Sequence, residues 1–407
     1  MKKNRRLTPE GTRDLLFEEC LTRRQEERRL SSLFLRRGFS EVMTPGIEYF
    51  DAFGMDQGTD DMALPPESLY KLTDSKGRLL VMRPDNTIPI ARLVATRLQD
   101  TPLPLRLYYA QDVYRFGSGM SGRSNQEFQM GVELIGASGN RADLEMIALA
   151  AEALKTCNCQ DFRLEIGHVG VFGDLIRRLQ AEEDVRDEIR RLTESKSYAA
   201  LGDFLDTLPS SPEAEAIRRL PRLFGGRETL EEAKALCCGE EAQEAIEHLT
   251  QLLDSLTALG LGEQVTVDLG LVHRHEYYTG VVFRGYVAGS GETVVSGGRY
   301  DTLLQRFGCA LPAVGFGINL DAVTRVMMGA GRVEPVPVPK ILIYAYPGYE
   351  IEALRRLGEW TEDGGTVCEF GTFDTLEQSV EYAKQRGIAK VIAVGGTAGG
   401  EIDIDEI

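Results

Sequence analysis

A group of polar side chains in the first third of the chain has the composition of a pocket for a small zwitterion. Asp85 and Thr87 follow one predicted strand, so a carboxylate and a hydroxyl lie together at its end. Arg115 lies at the end of another strand, where its guanidinium could bind a carboxylate with two hydrogen bonds. Gln129 and Glu133 are four residues apart in a third predicted strand and should face the same side. These residue types match the ammonium and carboxylate groups of an amino acid, although charges on a solvated face would have the same spacing.

The elements that must position these side chains predict a mixed, largely antiparallel sheet with helices packed on it, which is the α+β pattern. A helix is predicted over residues 14–37, with Asp14 as its capping residue and an apolar stripe towards the core. A second helix is predicted from Asn140 or Asp143 through Leu154. β-Branched and aromatic runs predict strands at residues 39–43, 70–73, 79–82, 105–110, 131–136, 265–269, 280–287 and 293–295.

Two later regions have different patterns. Residues 169–262 are helical, charged and rich in Leu, Arg and Glu, which predicts a helical insertion. After a proline-rich run, near-continuous apolar strands alternate with helices at 350–360 and 374–386, which is typical of a small parallel α/β domain. The predicted domains are a core at 1–168 and 263–332, the insertion at 169–262, a linker at 333–339 and the α/β domain at 340–407.

The composition weighs against several classes of protein. A formal net charge of −17 disfavours a nucleic-acid partner, because binding a phosphate backbone needs a positive face. The sequence has no apolar run near the ~20 residues that would span a bilayer, and no apolar segment follows the basic N-terminus, so a cytoplasmic protein is expected. Seven cysteines and four histidines have no zinc-ligand spacing, so we expect free thiols, no metal and no cofactor.

Several motifs in the same order resemble the catalytic core of histidyl-tRNA synthetases, which have a class II aminoacyl-tRNA synthetase fold. Residues 38–45 resemble the first class II motif, which serves at a dimer interface, 113–133 the second and 312–317 the third. Residues 270–280 and 296–301 resemble the two histidine-specific signatures. The resemblance implies a class II core and a histidine pocket formed by Asp85, Thr87, Arg115, Gln129, Glu133, His273, Tyr278 and Tyr300.

Three departures from that family fall on its ATP contacts. Gly117 stands where the synthetases carry the acid that contacts adenine, and Ala322 stands where they carry the arginine that holds the γ-phosphate. His273 replaces an arginine that acts on the substrate carboxylate and the α-phosphate, and Arg274 beside it is a candidate substitute. Each such contact commonly contributes a few kcal/mol to the transition state. The resemblance therefore predicts a pocket that keeps its amino acid but no longer activates it.

A synthetase-like chain without ATP contacts resembles the regulatory subunits of short-form ATP phosphoribosyltransferase. Residues 83–92 resemble that group rather than the synthetases, and residues 340–407 hold six basic against thirteen acidic residues, which disfavours binding of an anticodon stem. The resemblance implies a non-catalytic subunit in histidine biosynthesis that joins a short catalytic subunit in a hetero-octamer, dimerises through its class II core and takes L-histidine as feedback effector. A divergent histidyl-tRNA synthetase, or a synthetase-like small-molecule sensor with another partner, are the alternatives.

Overall fold

The chain divides into two compact units, Met1–Val333 and Glu334–Ile407. The computed structural model describes residues 6–53, 66–116, 124–271, 277–362, 366–395 and 400–404. Among these residues, no helix combines the length and the apolar character that crossing a membrane requires. The described cysteines are free thiols. The predicted separation of a core, an insertion and a linker is finer than this division into two units and stays a prediction.

A nine-stranded mixed sheet and a small three-stranded sheet form the framework of the first unit. Its strands are β1 (Ser40–Glu41), β2 (Ile47–Tyr49), β3 (Lys71–Thr73), β4 (Leu79–Met82), β5 (Leu105–Tyr114), β6 (Gln126–Ile135), β7 (Phe162–His168), β8 (Phe224–Gly225), β9 (Val265–Asp268), β10 (Val281–Val287), β11 (Thr293–Arg299) and β12 (Ala313–Asn319). The large sheet has the order β1-β5-β6-β12-β11-β10-β7-β9-β8, and β2-β4-β3 form the small sheet. The central pairs from β5 to β7 run antiparallel, while β1–β5 and β7–β9 are parallel. The predicted α+β, class II synthetase-like architecture is confirmed.

Helices cover this framework and form most of the stretch between β7 and β9. They are α1 (Phe17–Arg36), α2 (Thr87–Arg97), α3 (Asn140–Thr156), α4 (Val169–Arg178), α5 (Glu183–Glu194), α6 (Tyr198–Leu205), α7 (Pro212–Arg219), α8 (Arg227–Leu236), α9 (Glu240–Ala258) and α10 (Leu320–Gly329). The segment α4–α9 lies inside the region predicted as a helical insertion. It shares one continuous buried apolar cluster with α1, α3 and the sheet.

The predicted start of the first helix was wrong. Asp14 does not cap it, because Leu16 is extended and Phe17 enters the helix with a φ of 47°, so α1 begins three residues later. Leu16, the residue at the capping position, provides no side-chain hydrogen bond to the first turn of α1. Glu18 and Glu19 lie in that turn instead, where negative charge interacts favourably with the helix dipole.

Alternation along β6 separates the apolar core from the face that carries the polar side chains. Met130, Val132 and Leu134 are buried in the main core beneath α1, α3 and α10. The intervening residues, among them Gln129 and Glu133, point to the opposite face because successive strand side chains alternate. On that face α2, β5 and the residues after β11 enclose a second apolar cluster. The predicted common orientation of Gln129 and Glu133 follows from this alternation.

The second unit is a four-stranded sheet with two helices. Its elements are β13 (Ile341–Ala345), α11 (Glu350–Glu362), β14 (Cys368–Gly371), α12 (Leu376–Arg386), β15 (Lys390–Val394) and β16 (Gly400–Asp403). The order is β14-β13-β15-β16, with β14, β13 and β15 parallel and β16 antiparallel to β15. The predicted small parallel α/β domain therefore has one antiparallel strand, β16, at its edge. The alternation of Glu401, Ile402 and Asp403 is the period-2 signal that indicates such a strand.

Candidate ligand-binding site

Glycines on adjacent strands leave room for a cavity on the polar face of the large sheet. In the register of the sheet, Gly298 on β11 lies opposite Gly315 on β12, and Gly315 lies opposite Glu133 on β6. A Cβ atom at Gly315 would lie 1.9 Å from Oε2 of Glu133. A Cβ atom at Gly317 would lie 2.6 Å from Nε2 of Gln129. Side chains on these glycines would therefore fill the space above the sheet or displace the polar groups.

This ligand cavity has an empty volume of about 640 Å³, including the part that opens to solvent. The seven predicted site residues that the structure describes all line it, whereas His273 lies outside the described residues. Tyr109, which contributes a wall, lies outside the predicted set. Tyr277, Ser296 and Phe316 lie within the motifs at 270–280, 296–301 and 312–317, but no binding role was predicted for them. The complete lining is Asp85, Thr87, Tyr109, Arg115, Gln129, Glu133, Tyr277, Tyr278, Ser296, Tyr300, Gly315, Phe316 and Gly317.

Glu133 is the most deeply buried carboxyl group in this cavity, with 1% of the residue exposed. Thr87 Oγ1 donates to Oε1 of Glu133 at 2.8 Å, and the hydroxyl of Tyr300 donates to Oε2. Burial raises the pKa of Glu133 to about 8, against the opposing effect of the hydrogen bonds from Tyr300 and Thr87. In the folded chain the carboxyl group of Glu133 is therefore mostly protonated at neutral pH. A cationic ligand group beside it would favour the ionised form.

Gln129 and Asp85 are both held by hydrogen bonds within the protein. Oε1 of Gln129 accepts from Nδ2 of Asn86 at 3.1 Å and from the hydroxyl of Tyr109 at 3.3 Å. These contacts orient the amide so that its nitrogen lies towards Gly317. Oδ1 of Asp85 accepts from the backbone N–H of Ile88 at 3.0 Å, so Asp85 stabilises the first turn of α2 as well as lining the cavity.

Arg115 is oriented by one hydrogen bond and otherwise lies at the mouth of the cavity. It follows the last residue of β5, and its Nε donates to the carbonyl of Pro84 at 2.7 Å. The nearby Arg83 has a different environment, since it is 4% exposed and donates to the backbone carbonyls of Thr44 and Asp112. Arg83 thus fixes the turn that carries Asp85, while Arg115 presents positive charge to the cavity.

A neighbouring cavity shares one wall with the first. Arg115, Gln129, Ser296 and Gly317 line both, and the neighbouring cavity continues over β10 and β11. Its charged lining consists of two arginines and two glutamates, namely Arg115, Arg284, Glu127 and Glu292. Burial raises the pKa of Glu127. This lining has no excess of positive charge among the residues that the structure describes.

The first residues of α10, beside this neighbouring cavity, make internal contacts. Oδ1 of Asn319 accepts from the backbone N–H of Ala322 at 2.9 Å and caps the helix. Oδ2 of Asp321 accepts from the backbone N–H of Phe128 at 2.8 Å, and Oδ1 lies 3.5 Å from the guanidinium of Arg23. Ala322 is 1% exposed and packs in the main core. The position where the resembling synthetases carry an arginine is therefore an apolar one here, next to a carboxylate.

The described residues offer no group of three His, Cys, Asp or Glu side chains that could hold a metal ion. The ligand cavity instead combines hydrogen-bond donors, carboxyl groups and aromatic rings. Tyr277 lies edge-on to Tyr300, with ring centroids 5.5 Å apart, and packs against Tyr278. Such a lining is suited to reversible binding of a small polar ligand with a ring or other flat group.

Fold and cavity together define a protein of the histidyl-tRNA synthetase type. A family model described as histidyl-tRNA synthetase matches residues 11–323, which is more than half of the chain. A solved structure described as an ATP phosphoribosyltransferase regulatory subunit/histidyl-tRNA synthetase, from Bacillus halodurans, superposes with a TM-score of 0.82 at 32% identity. That match covers 97% of this chain and 99% of the other.

Curated relatives narrow this class. An ATP phosphoribosyltransferase regulatory subunit from Clostridium kluyveri is 36% identical over 387 residues, covering 94% of this chain and 98% of the relative. A protein of the same name from Bacillus cereus is 36% identical over 398 residues, covering 96% and 92%. The chain therefore belongs to the family of ATP phosphoribosyltransferase regulatory subunits.

Proposed function

We propose that this chain makes no product of its own and serves as the regulatory subunit that a short ATP phosphoribosyltransferase catalytic subunit requires for activity. The names of its relatives support the regulatory role and the partner. The start of α10 supports the absence of a catalytic activity of its own. Where the resembling synthetases carry an arginine, Ala322 is buried in the core, and Asp321 places a carboxylate beside it. Binding a triphosphate in an orientation for adenylyl transfer needs concentrated positive charge at that end.

The ligand of the cavity, in this proposal, is L-histidine. Arg115 supplies a guanidinium for the carboxylate, and Asp85 supplies an acceptor for the ammonium group. Glu133, with Thr87 and Tyr300 bound to it, provides a buried polar contact for the imidazole ring, and Gln129 and Tyr278 complete the lining. His273 is proposed as a further contact from the histidine signature.

Regulation requires that histidine bind two states of the complex with unequal affinity. We propose that histidine inhibits the first step of histidine biosynthesis by favouring the less active arrangement of the assembly. The assembly proposed is a cytoplasmic hetero-octamer of four regulatory and four catalytic chains, in which the regulatory chains pair through the first class II motif. Neither a metal, a cofactor nor a nucleic acid takes part in this proposal.

The decisive experiment is co-expression of this chain with the short transferase of the same host. Transferase activity is expected from the complex but not from the catalytic chain alone, and L-histidine is expected to lower it. Calorimetry on this chain and on the complex measures histidine binding directly. If histidine binds to neither, the proposed histidine sensing is wrong. If the catalytic chain is fully active alone, the proposed requirement for this subunit is wrong.

A divergent histidyl-tRNA synthetase is the second candidate, because the family model that matches residues 11–323 is that of the synthetase. Histidine-dependent exchange of pyrophosphate into ATP separates the two. The purified chain is expected to show no exchange above a protein-free control, and clear turnover would establish the synthetase instead. A capture experiment in the native host that yields a partner other than a phosphoribosyltransferase would favour a different regulatory role.

A further inference from the structure

A buried group of charged and polar side chains lies between the ligand cavity and the helical segment α4–α9. Asp143 on α3 is 0% exposed, and its Oδ1 receives two contacts from Arg299, from Nε at 2.8 Å and from a terminal nitrogen at 2.6 Å. Nε2 of His248 on α9 lies 3.2 Å from Oδ2 of the same carboxylate. The two atoms do not form a hydrogen bond at this distance, and neither has a hydrogen-bond partner elsewhere among the described residues. Three elements thus meet at one buried carboxylate.

Arg299 is the member of this group that is connected to the walls of the ligand cavity. It is the last residue of β11, and Tyr300, whose hydroxyl donates to Glu133, follows it directly. The carbonyl of Arg299 accepts from the backbone N–H of Thr279 at 2.7 Å, and Thr279 follows the cavity residue Tyr278. A shift of Arg299 would therefore displace two aromatic walls of the cavity at once.

The remaining contacts of Arg299 make its position depend on the surroundings of α3. A terminal nitrogen donates to Asp301 at 2.9 Å and to the carbonyl of Ala137 at 3.3 Å. Because Arg299 is only 6% exposed, its positive charge is stabilised by these acceptors and by Asp143 rather than by water. Removal of one partner of a buried ion pair strongly destabilises a protein, whereas small movements of the paired residues only redistribute their hydrogen bonds.

His248 connects this buried group to the outside of the molecule. Its side chain is 22% exposed on α9, and its ring packs edge-on against His168, with ring centroids 5.5 Å apart. Nδ1 of His168 accepts from the backbone N–H of Gly170 at 3.1 Å, so the side chain of His168 caps α4. Burial lowers the pKa of His168 to about 4, so its ring is neutral at physiological pH. The two histidines therefore tie α9 and α4 to Asp143.

We propose that Asp143, Arg299 and His248 form a positioning cluster through which the helical segment α4–α9 sets the shape of the ligand cavity. None of the three lines the cavity, and the cluster acts by holding Tyr300 and Tyr278. A partner that moves α9 would thereby change the affinity for histidine, and histidine would change the affinity for that partner by the same factor. This inference rests on the proposed function for its ligand, but the positioning itself is independent of which ligand binds.

The test compares two single substitutions on neighbouring turns of α9. His248→Ala removes the contact with Asp143. Gln251→Ala is the matched control, because Gln251 accepts a hydrogen bond from Asn140 of the same helix α3 but does not belong to the cluster. His248→Gln keeps a polar side chain at this position and should recover most of the wild-type behaviour. All four full-length proteins are compared by calorimetry with L-histidine and by hydrogen exchange without ligand.

His248→Ala is expected to weaken histidine binding about fivefold or more and to speed exchange of the amides of Thr279 and Tyr300. Gln251→Ala should leave both unchanged. Equal behaviour of the two variants in both measurements would overturn the proposal. If the wild-type chain binds no histidine, the sensing function fails, yet the difference in amide exchange still decides the positioning. If His248→Ala does not fold, Arg299→Lys, which keeps the charge but not the branched set of donors, serves in its place and should show the same changes.

Discussion

The ligand cavity and the start of α10 both lie along the large sheet, but their side chains are used differently. In the cavity, Gly315 and Gly317 keep space open and buried polar groups such as Glu133 are satisfied by neighbouring hydroxyls. At α10, Asp321 is used for a contact with Phe128, and Ala322 is part of the core. One region keeps an open cavity with a polar lining, and in the other the side chains are used for contacts within the protein.

This difference suggests how one fold can keep the binding of a ligand and lose the catalysis of a reaction. A cavity can keep recognising a metabolite while the neighbouring site loses the charges that a reaction needs, because binding and chemistry depend on different side chains. Catalysis depends on interactions that strengthen in the transition state, whereas sensing needs only ground-state binding. If the two regions are independent, substitutions in one should leave the properties of the other unchanged.

The largest effect is expected from Ala322→Arg, which introduces the residue of the resembling synthetases. Because Ala322 is 1% exposed, the guanidinium would enter the apolar core, and we expect a loss of more than ~3 kcal/mol in the free energy of unfolding. Urea unfolding measures this loss. Met328→Arg on the exposed side of α10 is the control and should be nearly neutral. A stable Ala322→Arg protein that binds ATP would show that the start of α10 is still a nucleotide site.

Gly315→Ala should damage the cavity directly. The new methyl group would lie 1.9 Å from Glu133 Oε2 and must displace it, at a cost of about 1–3 kcal/mol. We expect a loss of histidine affinity on the order of tenfold to a hundredfold, measured by calorimetry. Gly329→Ala is the matched control, since a Cβ atom at Gly329 would meet none of the described residues within 4 Å. Unchanged affinity in Gly315→Ala would mean that histidine binds elsewhere.

Glu133→Gln should change the pH dependence of stability. The folded-state pKa of about 8 lies above the ordinary value of 4.5, so the folded protein holds the proton more tightly than the unfolded chain does. Glu133 therefore makes the free energy of unfolding fall as pH rises from about 4.5 to about 8, by an amount on the order of a few kcal/mol. Glu133→Gln should flatten this slope in urea titrations of the ligand-free protein. Glu145→Gln, at a surface ion pair with Arg106, should keep the wild-type slope.

Sequence reasoning succeeded where one element decides the geometry. The common face of Gln129 and Glu133 follows from the alternation of side chains in a single strand, and β6 (Gln126–Ile135) contains both residues. The class II fold was predictable because its motifs occur in a fixed order along the chain. The seven described members of the predicted set line one cavity, and their role in binding stays a prediction.

The details that the sequence did not reveal depend on contacts between distant segments. Tyr109 joins the cavity because β5 pairs with β6 so that Tyr109 lies opposite Gly131. The use of Asp85 as a cap for α2 depends on where that helix begins, and the contact between His248 and Asp143 depends on the packing of α9 on α3. Local patterns contain no information on register or helix packing. These features therefore need coordinates.

The smallest effect is expected from Glu292→Ala, at the far side of the neighbouring cavity. Glu292 pairs with Arg325, and both side chains are partly exposed, so the pair should contribute less than about 1 kcal/mol to stability. Because Glu292 does not line the ligand cavity, histidine affinity in calorimetry should stay within about twofold of wild type. Thr87→Val is the contrasting variant, because it removes a donor to Glu133 at nearly constant volume and should weaken binding several-fold. A large loss of histidine affinity in Glu292→Ala would show that the two cavities act as one site. The proposed independence of the ligand cavity from the start of α10 would then be wrong.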